Sequence, residues 1–225
     1  MYDRIIKLLG EENIKIFNNA KILLIGLGGV GGYVFESLIR TGFKDITIVD
    51  KDIFDITNLN RQILATKATL GKEKVAAAYS RAQEIDDTIS IKTIKKYLQK
   101  EDITPSFLSG FDYVIDACDD VAVKVTLMTV CAHNNIKLIS SMGTANRTHP
   151  ELLTLTKLKD TKNDPLAKKI RHLLKDDKCA LKTPVLCSIE LPKKSKYLGT
   201  ICAVPMAAGS IISAYVINDI KKEGY

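Results

Sequence analysis

A glycine-rich loop near the N-terminus is the first part of the sequence whose residue types and spacing could do chemistry. The run Gly-Leu-Gly-Gly-Val-Gly at 26–31 matches the pattern G-x-G-x-x-G, after an apolar run that predicts a strand and before a predicted helix. Glycines let the backbone approach a phosphate, and a helix N-terminus offers unpaired N–H groups. Gly26, Gly28, Gly29 and Gly31 are therefore predicted to bind a phosphate-bearing cofactor.

Charged and amide side chains follow this loop in an order that suits a nucleotide. Asp50 ends the next predicted strand, where a carboxylate can accept hydrogen bonds from ribose hydroxyls. The polar residues that come soon afterwards are Asp52, Asn58, Arg61, Gln62 and Lys74. A bound dinucleotide needs no arginine and lysine together, whereas a triphosphate under cleavage does, because the departing pyrophosphate gathers negative charge. Asp119 follows the fourth predicted strand, where a carboxylate can hold Mg²⁺.

Strands and helices alternate from residue 21 to residue 140. Apolar runs predict strands at 21–25, 46–49, 89–94, 113–115 and 137–140. Helical spacing predicts helices at 4–18, 30–41, 72–85 and 121–133. This alternation predicts an α/β fold, with a Rossmann-like, doubly wound and mostly parallel sheet that carries helices on both faces.

The pattern changes after Met142 and predicts a mixed or antiparallel C-terminal extension. Residues 151–158 predict a strand, and Asp164 followed by proline predicts a helix start. The apolar face of that helix would hold Leu166, Ile170, Leu173 and Leu174. The opposite face would hold Lys168, Arg171 and Lys175. The run 201–217 predicts a strand end, a turn and a buried helix, while the fold of residues 176–200 is not predicted by any pattern.

Length and composition indicate a globular protein of one domain. A chain of 225 residues buries roughly 70% of its unfolded surface, and its 46% hydrophobic and 26% charged residues exclude intrinsic disorder. Five cysteines without a Cys-x-x-Cys pair argue against a disulfide framework and a structural zinc site. No signal-peptide core is present and the longest apolar run is short of a bilayer span, which predicts a cytoplasmic protein without a membrane partner.

The net charge of +7 is concentrated in one segment. Residues 157–196 contain 12 basic and 5 acidic residues, a difference of +7, so the rest of the chain is balanced. A basic segment outside the nucleotide loop favours a polyanionic partner. A solvated surface without a partner is the alternative.

These motifs together resemble the ATP-binding pattern of ubiquitin-activating-type adenylating enzymes. The matching stretches are the glycine loop, 50–52, 58–62, 71–74 and 116–120. The resemblance implies ATP as the cofactor, with Asp50 on its ribose and Mg²⁺ at Asp119. It implies that Asn58, Arg61 and Lys74 surround the phosphates.

The resemblance also implies how one domain over residues 1–225 is organised. A helical segment would occupy 1–20, the ATP-binding core 21–145 and a basic, substrate-binding part 146–225. The start Tyr2-Asp3-Arg4 is similar to a family motif whose arginine reaches the partner subunit's ATP. This similarity implies a homodimer in which Arg4 acts in trans.

The C-terminal half indicates which carboxylate is activated. Sulfur-carrier activators of the family commonly carry two Cys-x-x-Cys pairs, and this sequence has neither. The stretch 163–171 instead resembles the branch that dehydrates threonylcarbamoyladenosine in tRNA. That branch implies adenylation of the carboxylate, ring closure by the carbamoyl group of the same substrate, and release of AMP and pyrophosphate. It also implies tRNA as a partner, in the region of Lys168, Arg171 and Lys175.

Three other functions stay open on the sequence alone. They are activation of the C-terminal Gly-Gly of a ubiquitin-like sulfur carrier, a nicotinamide-dependent dehydrogenase, and a scaffold without activity. Sulfur-relay partners and a monovalent cation are compatible with the family. Cys187 and Cys202 are the candidate thiols if one is used, although attack from within the substrate needs none.

Overall fold

A seven-stranded sheet forms the centre of the computed structural model, which describes residues 1–221. Its strands are β1 (Lys21–Ile25), β2 (Asp45–Asp50), β3 (Ser90–Lys95), β4 (Tyr113–Asp116), β5 (Leu138–Ser141), β6 (Leu153–Lys157) and β7 (Pro184–Ser188). They lie in the order β3-β2-β1-β4-β5-β7-β6. Within this sheet every neighbouring pair is parallel except β6 and β7, which pair antiparallel. The predicted doubly wound α/β fold with an antiparallel extension is confirmed.

Eight α-helices surround the sheet in the described part of the chain. They are α1 (Asp3–Leu9), α2 (Glu11–Asn19), α3 (Gly31–Thr41), α4 (Lys74–Ile85), α5 (Pro105–Leu108), α6 (Val121–His133), α7 (Pro165–Leu173) and α8 (Ala203–Ile220). The single helix predicted at 4–18 is wrong. Gly10 divides it, because φ of +81° is a left-handed conformation that cannot continue a helix and that glycine adopts readily.

Alternation along β1 divides the core into two layers. Ile22 and Leu24 belong to a cluster covered by α2, α3, α4 and α8, whereas Leu23 and Ile25 belong to a second cluster with α6 and α7. Successive side chains of a strand point to opposite faces, so a strand covered on both faces needs apolar residues throughout. This requirement explains why β1 is a continuous apolar run.

The strand order reverses between β1 and β4, and a crevice opens where these neighbours end. In open α/β sheets ligands bind at such a switch point, outside the carboxyl ends of the strands. Gly26, directly after β1, has φ of +94°, and a Cβ there would lie 2.7 Å from the carbonyl oxygen of Ala117. The two loops can therefore meet this closely only with glycine at position 26.

The structure corrects several expectations for the C-terminal part. Helix α7 ends at Leu173, whose side chain is 55% exposed, so Leu173 does not join the apolar face. Lys175 lies beyond the helix, and the Arg171 guanidinium donates to the Thr161 carbonyl oxygen at 2.7 Å. The predicted basic face of Lys168, Arg171 and Lys175 is thus not one continuous helical surface.

Strand β7 and the start of α8 were not predicted. β7 lies between β5 and β6 and is stabilised by pairing with both, which no local sequence pattern reports. The strand end expected at residue 201 is wrong, since no strand is assigned between β7 and α8. The strand predicted at 151–158 is confirmed in its centre as β6.

Helix α8 is long and apolar enough to cross a membrane by length and composition only. Within the fold, its Ala208, Ile212 and Val216 are fully buried in the core shared with α3. Gly209 makes this close packing possible, because a Cβ there would lie 2.5 Å from the Tyr33 Cβ and 2.8 Å from the Val30 carbonyl oxygen. One such helix, buried along one face, is weak evidence for a membrane.

Gly209→Ala should destabilise the protein by about 1–3 kcal/mol, because the added methyl group must push α8 away from α3. Gly110→Ala is the matched control, since a Cβ at that position meets no atom within 4 Å. Urea denaturation of the two variants measures the difference in the free energy of unfolding. Equal stability of both variants would contradict the close packing of α8 on α3.

Candidate active site

A cavity of about 950 Å³ opens at the carboxyl ends of β1, β2, β4 and β5. The loops that follow these strands supply its floor, so residues far apart in the sequence share one wall. The residues predicted from the sequence that line it are Gly26, Gly28, Gly29, Asp50, Asp52, Asn58, Arg61, Gln62, Lys74 and Asp119. The structure thus brings most of the predicted site together, while the role of each residue stays a prediction.

Gly31 differs from the other glycines of the loop, because it does not line the cavity. A Cβ on Gly31 would lie 1.8 Å from the carbonyl oxygen of Gly26, which no side chain permits. Its direct contact is therefore the packing of α3 onto β1, as expected for the third glycine of this pattern. The predicted cofactor contact of Gly31 stays a prediction, while its close packing on the Gly26 carbonyl oxygen gives it a structural role as well.

Asp50 fastens the glycine loop to the end of β2. Its Oδ2 accepts a hydrogen bond from the Leu27 N–H at 2.6 Å, and its Oδ1 accepts one from the Asp52 N–H at 2.8 Å. Each carboxylate oxygen can accept more than one hydrogen bond. The carboxylate can therefore hold the loop in place and still accept hydrogen bonds from a ligand in the cavity.

Lys74 presents a nearly buried ammonium group to the cavity. Its side chain is 6% exposed, and Nζ lies 3.1 Å from the Asp52 Oδ2, whose side chain is 49% exposed. The backbone N–H of Lys74 also donates to the Asp52 carbonyl oxygen at 3.0 Å. An exposed carboxylate can move into water, so an anionic ligand can replace Asp52 as the partner of Lys74.

Arg61 and Gln62 lie at the end of a turn that follows β2. The Arg61 Nη1 donates to the Thr57 carbonyl oxygen at 2.7 Å, and Asn58 Oδ1 accepts from the Asp55 N–H at 3.1 Å. Gln62 is 6% exposed, and its Oε1 is buried without a hydrogen-bond partner in the described part of the chain. Because Gln62 lines the cavity, its amide lies close to the place where a ligand would bind.

Asp119 is exposed and lines the cavity after β4. No group of three or more His, Cys, Asp or Glu side chains that could hold a metal occurs among residues 1–221. One carboxylate fits Mg²⁺ better than zinc, because Mg²⁺ keeps several waters and is usually completed by substrate phosphates.

The sequence patterns did not predict a buried ion pair beneath the cavity. Lys124 Nζ lies 2.9 Å from the Asp116 Oδ2, and both side chains are 0% exposed. Lys124 also donates to the Ser141 carbonyl oxygen at 2.7 Å, and Asp116 Oδ1 accepts from the Cys118 N–H at 3.1 Å. The pair therefore connects the loops after β4 and β5, both of which line the cavity.

Burial by itself would lower the pKa of Lys124, but the charge of Asp116 and its hydrogen bond outweigh this effect and raise the pKa above its usual value. Lys124 is therefore charged and serves as a fixed cation rather than as a proton carrier. Burial also raises the pKa of the Cys118 thiol well above its usual value, which keeps this cavity thiol protonated.

Arg147 organises the opposite wall and was also missed. Its side chain is 1% exposed and donates to the carbonyl oxygens of Gly143, Asn163 and Glu190. It lies 3.4 Å from the Asp164 Oδ2, while Asp164 Oδ1 caps α7 by accepting from the Ala167 N–H at 2.9 Å. One guanidinium thus joins the loop after β5, the start of α7 and the end of β7. Only the cap at Asp164 carried a sequence signal.

Several candidate residues lie outside this cavity. Lys168, Arg171 and Lys175 do not line it, nor do Cys187 and Cys202. Cys187 is 1% exposed in the core, and the Cys202 Sγ lies 3.0 Å from the Tyr33 hydroxyl. Arg4 is exposed on α1 and does not line the cavity of its own chain, and its expected role in a second subunit stays a prediction.

Fold and cavity define a nucleotide-binding α/β protein whose site combines a glycine loop with an arginine and a lysine. The chain belongs to the ThiF family, whose sequence profile matches residues 2–218. It is 34% identical to the tRNA threonylcarbamoyladenosine dehydratase of Bacillus subtilis, with 96% of this chain and 92% of that protein covered. A match to the molybdopterin-synthase adenylyltransferase of Haemophilus influenzae is 33% identical but covers only 65% of this chain and 58% of that protein.

A solved structure agrees with the sequence comparison. The Escherichia coli tRNA N6-threonylcarbamoyladenosine dehydratase in complex with ATP superposes with a TM-score of 0.92 at 29% identity. The match covers 97% of this chain and 93% of that one. The same enzyme in complex with AMP gives a TM-score of 0.91.

Lys124→Met should cost about 3–5 kcal/mol, because it leaves the Asp116 carboxylate buried without its cation. Lys137→Met is the matched control, since Lys137 pairs with Asp219 at 3.0 Å but both side chains are about half exposed; its loss should stay below about 1 kcal/mol. Urea denaturation measures both variants. Similar losses in the free energy of unfolding would show that the buried pair stabilises the fold no more than an exposed pair does.

Proposed function

We propose that the protein is an ATP-dependent dehydratase that acts on threonylcarbamoyladenosine in tRNA. The observation that carries this proposal is the cavity itself, in which ten of the residues predicted to bind the nucleotide lie together with residues of the C-terminal part. The Bacillus subtilis dehydratase and the Escherichia coli dehydratase structure match 96% and 97% of this chain, including the C-terminal part. The match to the sulfur-carrier activator covers a smaller part, so the proposal favours the tRNA substrate.

The first step activates a carboxylate. An oxygen of the threonyl carboxylate attacks the α-phosphorus of ATP, the bond to the β-phosphate breaks, and pyrophosphate leaves. Gly26, Gly28 and Gly29 leave room for the phosphates, and Asp50 accepts from the ribose. Arg61 and Lys74 stabilise the charge that develops on the departing pyrophosphate, because cations placed in advance cost no reorganisation during the reaction.

Asn58 and Gln62 complete the nucleotide site in this proposal. Gln62 lines the cavity beside the bound nucleotide or substrate. Asp119 would hold Mg²⁺, and the ion would supply further neutralisation of the phosphates. Asp52 gives up its contact with Lys74 when the phosphates enter.

The second step closes a ring. A nucleophilic atom of the carbamoyl group attacks the acyl carbon of the adenylate, the bond to AMP breaks, and the proton of the nucleophile is lost. The net change in the nucleoside is the loss of water. Nucleophile and electrophile belong to the same molecule, so no enzyme thiol is needed. The protonated Cys118 and the buried Cys187 agree with a mechanism without a thiolate.

We also propose a cytoplasmic homodimer in which Arg4 reaches the partner's ATP. The N-terminal segment is attached to the rest of the fold by the Tyr2 hydroxyl, which donates to the Asp86 Oδ2 at 2.8 Å. Lys168 and Lys175 remain exposed and available to the tRNA backbone. Sulfur-relay partners and a monovalent cation remain expectations from the family resemblance.

The decisive experiment incubates the purified protein with ATP, Mg²⁺ and tRNA that carries threonylcarbamoyladenosine. The expected result is formation of AMP and pyrophosphate together with a nucleoside lighter by one water, detected by mass spectrometry. Unmodified tRNA is the control and should give no turnover. ATP–pyrophosphate exchange that requires a protein ending in Gly-Gly, without change in the tRNA, would refute the proposal and support the alternative.

Arg61→Ala and Lys74→Ala should each lower the turnover rate by about 100- to 1000-fold, since each removes a cation from the departing pyrophosphate. Lys72→Ala is the matched control, because Lys72 is exposed and lies outside the cavity although it is only two residues from Lys74. Rates with saturating ATP and tRNA measure the effect. Wild-type rates in the Arg61 and Lys74 variants would remove both residues from the mechanism.

A further inference from the structure

The segment between β7 and α8 forms an exposed loop at the mouth of the cavity. We call residues 191–200 the mouth loop. Six of its members line the cavity, namely Pro192, Lys193, Lys194, Ser195, Leu198 and Thr200. The loop therefore adjoins the place where the proposed reaction occurs, whereas the lysines of α7 do not line the cavity.

Asn146 holds both ends of the mouth loop. Its N–H donates to the Gly199 carbonyl oxygen at 2.7 Å, and its Oδ1 accepts from the Gly199 N–H at 2.7 Å. Its carbonyl oxygen accepts from the Lys193 N–H at 2.8 Å. Asn146 has φ of +58°, a conformation that asparagine tolerates better than most residues. The loop is thus tied at its base, while residues 194–198 project into solvent.

The projecting residues include two large apolar side chains whose exposure to water is unfavourable. Tyr197 is 73% exposed and Leu198 is 86% exposed. Lys193, Lys194 and Lys196 add three positive charges to the loop, which contains no acidic residue. Among the described residues no carboxylate pairs with these lysines, and Lys196 Nζ instead lies 5.8 Å from the centre of the Tyr197 ring.

We propose that the mouth loop binds the unpaired nucleotides beside the modified adenosine of the tRNA, with Tyr197 stacked on a base and Lys193 and Lys194 at the phosphates. This inference rests on the proposed function. An exposed aromatic ring among unpaired lysines is suited to single-stranded nucleic acid, since every base has a face for stacking and every linkage carries a negative charge. The modified adenosine must leave the base stack for its threonylcarbamoyl group to enter the cavity. The neighbouring bases then lose a stacking partner, and the Tyr197 ring can take its place.

The test compares Tyr197→Ala and Tyr197→Phe with the wild-type enzyme. The alanine variant should raise the KM for modified tRNA about tenfold or more, because base–aromatic stacking is lost. The phenylalanine variant should keep the wild-type KM, since a phenyl ring stacks equally well. The kcat at saturating tRNA and the affinity for ATP should not change in either variant, which separates binding at the mouth from chemistry.

Tyr79→Ala is the matched control, because Tyr79 is 46% exposed on α4 and does not line the cavity. The double variant Lys193→Ala/Lys194→Ala tests the phosphate contacts in the same RNA. Its slope of log Kd against log salt should fall by about 0.7 for each lysine that contacts a single strand. Urea denaturation verifies that the variants stay folded, as expected for exposed side chains.

A wild-type KM for Tyr197→Ala would overturn the inference while leaving the proposed function intact. An alanine-like KM for Tyr197→Phe would also overturn it, because the hydroxyl group rather than stacking would then be responsible. Absence of turnover by the wild-type enzyme overturns the proposed function instead. If Tyr197→Ala weakened only the exchange reaction with a Gly-Gly protein, the mouth loop would be a protein contact and the RNA inference would be wrong.

Discussion

The floor of the cavity depends on one buried ion pair, between Asp116 at the end of β4 and Lys124 on α6. Two charges without solvent contact are stable only when each is neutralised and hydrogen-bonded, so their positions are narrowly restricted. Asp116 meets this condition through the Cys118 N–H and the Ser140 hydroxyl, and Lys124 through the Ser141 carbonyl oxygen. The loops that carry Asp119 and Gly143 therefore start from points that the ion pair holds in place.

The two walls of the cavity are built on different principles. The nucleotide wall is the side of the cavity lined by Gly26, Asp50, Arg61 and Lys74. Its shape is set by where the strands end and by glycine, as at Gly26, where the close approach of Ala117 leaves no room for a side chain. The other wall consists of loops joined by side chains, chiefly Arg147 with its three carbonyl partners and Asn146 with the mouth loop. A rigid nucleotide side combined with a loop-built substrate side lets one fold serve different carboxylates, because loops can change while the nucleotide wall is kept.

Sequence patterns predicted the parallel sheet and the nucleotide wall because both depend on local signals. Buried parallel strands need uninterrupted apolar runs, and the carboxyl ends of adjacent strands must meet at one edge. The prediction was wrong for the helix at 4–18, where a single glycine conformation decides, and for the face of α7, where the helix ends at Leu173. It missed β7, whose stability comes from its neighbours β5 and β6 rather than from its own five residues.

The sequence by itself determined which chemical groups are offered to a nucleotide. The glycine loop, Asp50, Arg61 and Lys74 follow predicted strands, and the carboxyl ends of parallel strands lie at the same edge of a sheet. Only the tertiary structure decided what faces that edge. Arg147 looks like any surface arginine in the sequence, yet it is buried and binds three separate loops. The sequence likewise does not show where the charge excess of residues 157–196 lies. In the folded chain Lys193 and Lys194 line the cavity, whereas Lys168 does not. Contacts between distant segments carry no periodicity, and so the chain reveals them only when it is folded.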